Sequence, residues 1–61
     1  MMTSADIRAA RARLKLSQEK FAVLVGLTRL QVIDLEAGKF LPTERTENAI
    51  RQAVEAARDA A

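Results

Sequence analysis

Only three residues, Gly26-Leu27-Thr28, separate two helical segments in the middle of this 61-residue chain. Gly26 is suited to end the first of them, because the residue just past a helix commonly adopts a left-handed conformation that a β-carbon resists. Thr28 together with Gln31 has the pattern of a capping box, which starts the second helix at once. So short a connection predicts that the two helices cross steeply instead of lying antiparallel.

Capping residues also predict where the helices before this turn begin. Thr3 followed by Asp6 is a second capping-box pattern, and the helix it starts is expected to run to about Leu14 or Lys15. Ser17 is placed to cap the helix that ends at the turn, because its hydroxyl can accept a hydrogen bond from an amide of the first turn.

The last helix is predicted to begin just after the only proline. Pro42 keeps Leu41 out of helical geometry, and Thr43 is placed to cap a helix that runs well into the fifties and frays at residues 60–61. No segment has the alternating pattern of a strand. The fold class expected is therefore all-α, a compact bundle of four or five short helices.

Residues 1–61 can form only one domain, with its core expected within residues 5–58. A domain of this size buries only about 60% of the surface of its unfolded chain, so pairing with a second copy would help to stabilise it. The large apolar side chains expected in the core are Ile7, Leu14, Leu16, Phe21, Leu24, Val25, Leu27, Val32, Leu35, Ile50 and Val54.

Two residue types that carry much of enzyme chemistry are missing. The chain has neither cysteine nor histidine, which removes the disulfide, the thiolate nucleophile, the usual general base and the commonest metal ligand. We therefore expect no enzymatic activity, no cofactor and no metal. No apolar run approaches the length needed to span a membrane, and a cysteine-free chain suits a reducing cytoplasm.

The net charge of +2 conceals an asymmetry along the chain. Residues 8–20 contain five basic residues and one acid, whereas residues 43–61 contain three arginines and four acids. A basic front half is typical of a module that contacts a polyanion with one face. An ordinary solvated helix surface gives the same pattern, and charge alone favours that reading.

Residues 18–37 form a unit in which the small and apolar residues have mechanical roles. Ala22 is expected where the two helices cross, and a longer side chain there would push them apart. Leu27 is expected to fill the corner, while Val32 and Leu35 anchor the second helix so that its other face stays free.

These positions also fall into the register of a known family. The segment SQEKFAVLVGLTRLQVIDLEAGKFLP, residues 17–42, resembles the helix-turn-helix of the phage repressor and Cro-type family, also called XRE-like. The matching positions are Leu16-Ser17-Gln18-Glu19, Ala22, Gly26-Leu27-Thr28-Arg29, and Glu36-Ala37-Gly38-Lys39 with Pro42. The segment TENAIRQAVEAA, residues 46–57, looks like the last helix of short members.

The resemblance implies a lambda-repressor-like fold with a helix-turn-helix unit over residues 18–37. Its recognition helix, about residues 29–37, would enter the major groove of double-stranded DNA. The residues placed to contact phosphates are Ser17, Gln18, Thr28 and Lys39. The residues placed to read bases are Arg29, Leu30, Gln31, Ile33 and Asp34. For Gln31, completing the capping box with Thr28 is as good an explanation as contacting a base.

Arg11 and Glu36 stand where members of the family carry a partly buried salt bridge. In those proteins the pair ties the first helix to the end of the recognition helix. Its role here would be to orient that helix rather than to add much net stability. Arg11 is accordingly not counted among the DNA contacts.

The outward face of the recognition helix departs from the family pattern. Leu30 and Ile33 stand one turn apart, where family members usually carry Gln, Ser, Lys or Arg. They would contact thymine methyl groups or bind another protein, or the last helix would cover part of Ile33. Asp34 repels phosphate, and it would either accept a hydrogen bond from cytosine N4 or pair with a neighbouring arginine.

Two functions from different classes are compatible with these residues. The first is a sequence-specific transcriptional regulator that binds double-stranded DNA as a homodimer at the nucleoid. Repression is the expected outcome. Its dimer surface is expected on the last helix through Ile50, Val54 and Ala57, although Ile50 has an equal claim to pack within its own chain. The second is a protein-interaction module, antitoxin-like or an anti-repressor partner, anchored by Leu30 and Ile33. RNA binding ranks third, because the chain has no tyrosine or tryptophan on which bases could stack.

Overall fold

The computed structural model describes residues 1–59, which form four helices and no strand. The helices are α1 (Ser4–Leu14), α2 (Gln18–Val25), α3 (Arg29–Glu36) and α4 (Glu44–Asp59). The predicted all-α bundle is therefore confirmed, with four helices rather than five. Residues 60–61, where fraying was expected, lie outside the described residues.

Side-chain caps start the helices where the sequence predicts. At α1 the hydroxyl of Thr3 accepts a hydrogen bond from the amide of Asp6 at 3.1 Å, and the amide of Thr3 donates to the Asp6 carboxylate at 2.9 Å. The second of these bonds lowers the pKa of Asp6, because a backbone donor stabilises the charged carboxylate. The hydroxyls of Ser17 and Thr43 accept amide hydrogen bonds in the first turns of α2 and α4.

Left-handed residues follow α1 and α2. Gly26 has a φ of 77°, as its place after α2 predicts. Lys15 ends α1 in the same region with a φ of 58°, a conformation that costs a residue with a side chain about 1–2 kcal/mol. α3 ends at Glu36, one residue earlier than predicted, because Ala37 already serves as its cap, and Gly38 follows with a φ of 79°.

Each helix contributes one fully buried large side chain to the core. These side chains are Ile7, Phe21, Val32 and Ile50. The buried core is completed by Ala22, Val25 and Leu35. Half-buried apolar residues packed against it include Leu14, Leu16 and Leu27. α2 packs against α3, α1 packs against α3 and α4, and α4 also packs against α2.

The prediction that Leu24 lies in the core is wrong, since the residue is 53% exposed. Phe21, Ala22 and Val25 set the inward face of α2. At about 100° of rotation per residue, Leu24 falls about 110° from the middle of that face. A leucine in an apolar run is therefore left in solvent by the helix geometry.

Ile50 is not available for the dimer surface predicted on the last helix. Its side chain is fully buried within a single chain, where α4 packs against α1 and α2. Val54 is half-buried and Ala57 is exposed. The N-terminal half of the apolar stripe on α4 therefore packs into the core of its own chain.

Replacing Ala22 with leucine should lower the free energy of unfolding by about 1–3 kcal/mol, because the residue is 2% exposed on a helix packed against α3. Thermal unfolding followed by circular dichroism measures the change. Ala12→Leu adds the same side chain at an exposed position of α1 and should stay within about 0.5 kcal/mol of the wild type. Equal melting temperatures for the wild type and the Ala22 variant would contradict this packing.

Candidate nucleic-acid interface

The corner between α2 and α3 is closed by backbone hydrogen bonds and one apolar side chain. The amide of Leu27 donates to the carbonyl of Ala22 at 2.8 Å, and the amide of Gly26 donates to the carbonyl of Val23 at 3.4 Å. The Leu27 side chain is half-buried against the core. The start of α3 therefore has a fixed position relative to α2.

A reciprocal cap begins α3. The hydroxyl of Thr28 accepts from the amide of Gln31 at 3.1 Å, and the side-chain oxygen of Gln31 accepts from the amide of Thr28 at 2.8 Å. The cap uses only the oxygen of the Gln31 side chain, so its amide nitrogen keeps two donors. Capping the helix and donating a hydrogen bond to a base are therefore compatible for this exposed residue.

The residues predicted to read bases divide into an exposed group and a half-buried group. Arg29, Leu30 and Gln31, in the first turn of α3, are exposed, and Leu30 keeps 66% of its surface. Ile33 and Asp34 are half-buried. The most accessible part of the helix is therefore its N-terminal turn.

The Glu36 carboxylate joins three helices from the back of α3. Its side chain is 5% exposed, and it accepts from Nε of Arg11 at 2.6 Å and from Nη2 of Arg11 at 3.0 Å. The side-chain amide of Gln18 adds a third donor at 3.3 Å. This carboxylate raises the pKa of Arg11, because accepting these hydrogen bonds stabilises the charged guanidinium.

The Arg11 guanidinium also donates to the backbone. Its Nη1 lies 3.1 Å from the carbonyl oxygen of Leu16, just after the left-handed turn at Lys15. The ion pair implied by the family resemblance is thus present, but its further partners, Gln18 and the Leu16 carbonyl, were not predicted. Gln18 reaches the carboxylate because the start of α2 lies beside the end of α3, and the turn after α1 brings the Leu16 carbonyl to Arg11.

Four residues are predicted to contact phosphates, and three of them lie at helix N-termini. Ser17 and Thr28 are N-caps, and Gln18 is the first residue of α2, with its side-chain amide nitrogen directed to Glu36. The first amides of a helix have no partner within it, and the helix dipole favours an anion beside them. Both helix starts can therefore present backbone donors to a phosphate.

The fourth predicted phosphate contact, Lys39, lies next to Asp34. Its ammonium nitrogen is 3.7 Å from the Asp34 carboxylate, and its side chain is 68% exposed. The acid was expected to pair with an arginine if it paired at all, but its ion-pair partner here is this lysine. Asp34 is half-buried, but the lysine end of the pair is in solvent, so the pair contributes little free energy and the lysine can exchange partners at low cost.

Comparison with known families identifies the arrangement. A family model described as helix-turn-helix matches residues 7–46, from within α1 to the first turn of α4. The chain belongs to the XRE-like helix-turn-helix family. Members of this family are DNA-binding regulators. Searches of curated proteins and of solved structures gave no match.

Two further properties concern residues 1–59 of this helix-turn-helix protein. None of its helices is long and apolar enough to cross a membrane. No group of three or more acidic, histidine or cysteine side chains is arranged within that range to hold a metal ion.

Replacing Glu36 with glutamine should lower the free energy of unfolding by about 1–3 kcal/mol. Breaking a buried ion pair costs more than this when both partners are inaccessible, but the Arg11 side chain is 25% exposed. Urea denaturation measures the change. The control is Asp34→Asn, which removes the ion pair with the exposed Lys39 and should cost less than about 1 kcal/mol. Equal losses in the two variants would show that the Glu36 network stabilises the fold no more than the pair of Asp34 with the exposed Lys39 does.

Proposed function

We propose that this helix-turn-helix protein is a sequence-specific transcriptional repressor that binds double-stranded DNA as a homodimer. The observation that carries the proposal is the contrast between the two sides of α3. Arg29 and Leu30 are exposed at its front, while Val32, Leu35 and Glu36 hold its back. A helix fixed from behind and free in front can lie in a major groove.

Direct base reading is assigned to the first turn of α3 and to Ile33 and Asp34, which follow it. The guanidinium of Arg29 can pair with O6 and N7 of a guanine, and the free amide nitrogen of Gln31 can donate to a base acceptor. Leu30 and Ile33 would contact thymine methyl groups. Asp34 becomes available to a cytosine amino group when Lys39 turns to a phosphate.

Phosphate contacts are assigned to the helix starts and to the residue that follows Gly38. The backbone amides beside Ser17, Gln18 and Thr28 would hold one strand, and the exposed Lys39 would add a charge on the other side of α3. The protein would then block transcription by occupying a promoter, in the cytoplasm and on nucleoid DNA.

Replacing Arg29 with alanine should weaken binding to a selected duplex by about 1–3 kcal/mol and relax base preference at one position. The duplex comes from selection on a random pool, and fluorescence anisotropy over a series of salt concentrations gives the affinity. Arg58→Ala removes another exposed arginine, from the last turn of α4, and should change affinity much less. No selected sequence, or the same loss in both variants, would contradict the reading role of α3.

A second candidate function rests on the 66% exposure of Leu30. An exposed leucine with a half-buried isoleucine one turn away is also a suitable anchor for another protein. In that case α3 would serve an antitoxin-like or anti-repressor module, and Ile33 would be a contact to the partner rather than to DNA.

Removing thymine methyl groups from the selected duplex separates these two roles for Leu30. Replacing thymines by deoxyuridine should weaken wild-type binding by about 0.8 kcal/mol for each methyl group that the leucine covers. The Leu30→Ala variant should lose the part of this difference that Leu30 contributes, so its two affinities should lie closer together than those of the wild type do. A variant that binds the thymine duplex as tightly as the wild type does would assign Leu30 to a protein partner.

A further inference from the structure

A groove lies between α1 and α4, outside the helix-turn-helix unit, and has a volume of 440 Å³. Its apolar lining residues are Met2, Ala9, Ala10 and Val54. None of its lining residues within the described part of the chain belongs to α2 or α3. We call this surface the α1–α4 groove.

The apolar stripe of α4 continues past the core into this groove. Ile50 is fully buried, but Val54, one turn further along, is only half-buried and lines the groove. A second hollow adjoins the first, because Arg13, Val54 and Arg58 line both, and Ala57 extends it. The fold therefore leaves the C-terminal part of the stripe partly uncovered.

Arginines from both helices line the groove. Arg13 lies in the last turn of α1 and Arg58 in the last turn of α4, and both are exposed. Neither of them takes part in an ion pair among the described residues. The third arginine of the groove, Arg51, already has Glu47 at 4.0 Å. Two guanidinium groups therefore remain available to a carboxylate from outside the chain.

The acids of the groove offset this positive charge only in part. The carboxylate of Asp6 accepts a hydrogen bond from the amide of Thr3 at 2.9 Å, which commits it to the cap of α1. Glu55 and Asp59 line a separate hollow beside Arg58, and neither forms an ion pair with it. The groove itself contains three arginines against two acids, and two of the arginines lie where α1 and α4 end.

We propose that the α1–α4 groove binds an acidic amphipathic helix of another protein. Such a helix has apolar side chains on one face and aspartate or glutamate beside them. Its apolar face would cover Val54, and its carboxylates would reach Arg13 and Arg58. A guanidinium binds a carboxylate through two parallel hydrogen bonds, so arginines at these positions favour acidic side chains.

The same features disfavour other occupants. A second copy of this surface would bring net positive charge against net positive charge, which opposes pairing. The phosphate backbone of a duplex has no apolar side chain to cover Ala10 and Val54, and Asp6 and Glu55 would repel it. An acidic helix satisfies both the apolar strip and the arginines.

A partner bound in this groove would leave α3 accessible. The groove is lined from α1 and α4, whereas the residues proposed to read bases lie on α3. The partner and a duplex would therefore bind at the same time, and the partner would be brought to DNA instead of displacing the protein from it. This consequence, unlike the groove's occupant, rests on the proposed function.

Selection from a displayed library of helical peptides tests the proposal without DNA. Each peptide has about 16 residues, with leucines spaced about three and four positions apart and with glutamate, lysine, glutamine or alanine at all other positions. Peptides retained by the wild type should carry glutamate beside the leucines more often than lysine. The peptide that is enriched most is then synthesised, and fluorescence anisotropy gives its dissociation constant.

Arg13→Glu and Arg58→Glu should each weaken binding of this synthetic peptide about tenfold, because a repulsive pair replaces a favourable one. The matched controls are Arg8→Glu on α1 and Arg45→Glu on α4. They make the same charge change at exposed arginines that do not line the groove. Both controls should bind the peptide like the wild type, and circular dichroism checks that all variants are folded.

The proposal would be overturned by a library that yields no enriched peptide, by enriched peptides with as much lysine as glutamate, or by equal weakening in the controls. It would also be overturned if the Arg13 and Arg58 variants melted earlier but bound the peptide normally, since the two arginines would then serve only the dipoles of their own helices. A protein that binds the peptide but selects no DNA sequence keeps this inference and rejects the repressor function.

Amide chemical shifts measured by NMR locate the contact. Addition of the synthetic peptide should move the backbone amide resonances of Ala9, Ala10 and Val54, which line the groove, and leave those of Leu30 and Gln31 in place. Shifts confined to α3 would place the peptide on the recognition helix and would overturn the assignment.

Discussion

The orientation of α3 depends on a single nearly buried carboxylate. Glu36 is removed from water at the end of this helix, so its charge must be matched by donors from the protein. Arg11 of α1 and Gln18 of α2 supply them. A buried ion pair adds little net stability compared with apolar packing, but its geometry is strict. Here it holds three helices in one relative arrangement.

That arrangement divides α3 into a fixed side and a free side. Val32 and Leu35 lie in the core, and Glu36 is bound to its neighbours, whereas the first turn projects into solvent. The cap formed by Thr28 and Gln31 keeps this turn helical without using all the donors of the glutamine. A rigid and exposed first turn is what a DNA-binding helix requires, because contacts to bases tolerate little displacement.

The small core draws on apolar side chains from all four helices. Four helices share few buried side chains, and Ile50 is needed among them, so only the part of α4 beyond it has apolar surface left for a partner. Phe40 and Leu41, in the loop between α3 and α4, are exposed and take no part in this core.

Local features were predictable from the sequence because they depend on residues three or four positions apart. The caps at Thr3, Ser17, Thr28 and Thr43, and the left-handed Gly26, are of this kind. The pairing of Arg11 with Glu36 spans 25 residues, and only resemblance to a family made it predictable.

By itself, then, the sequence determined the helices and the turn between α2 and α3, since these follow from local hydrogen bonding and residue spacing. The family followed from resemblance to known members. Tertiary structure decided which apolar residues face inward. Leu24 was expected in the core but is exposed, because the neighbouring helices cover the other side of α2. Ile50 was open to the core or to a dimer surface, and the packing of α4 places it in the core. Tertiary structure also decided that Gln18 supports Glu36, since that contact exists only where two helix ends approach in space.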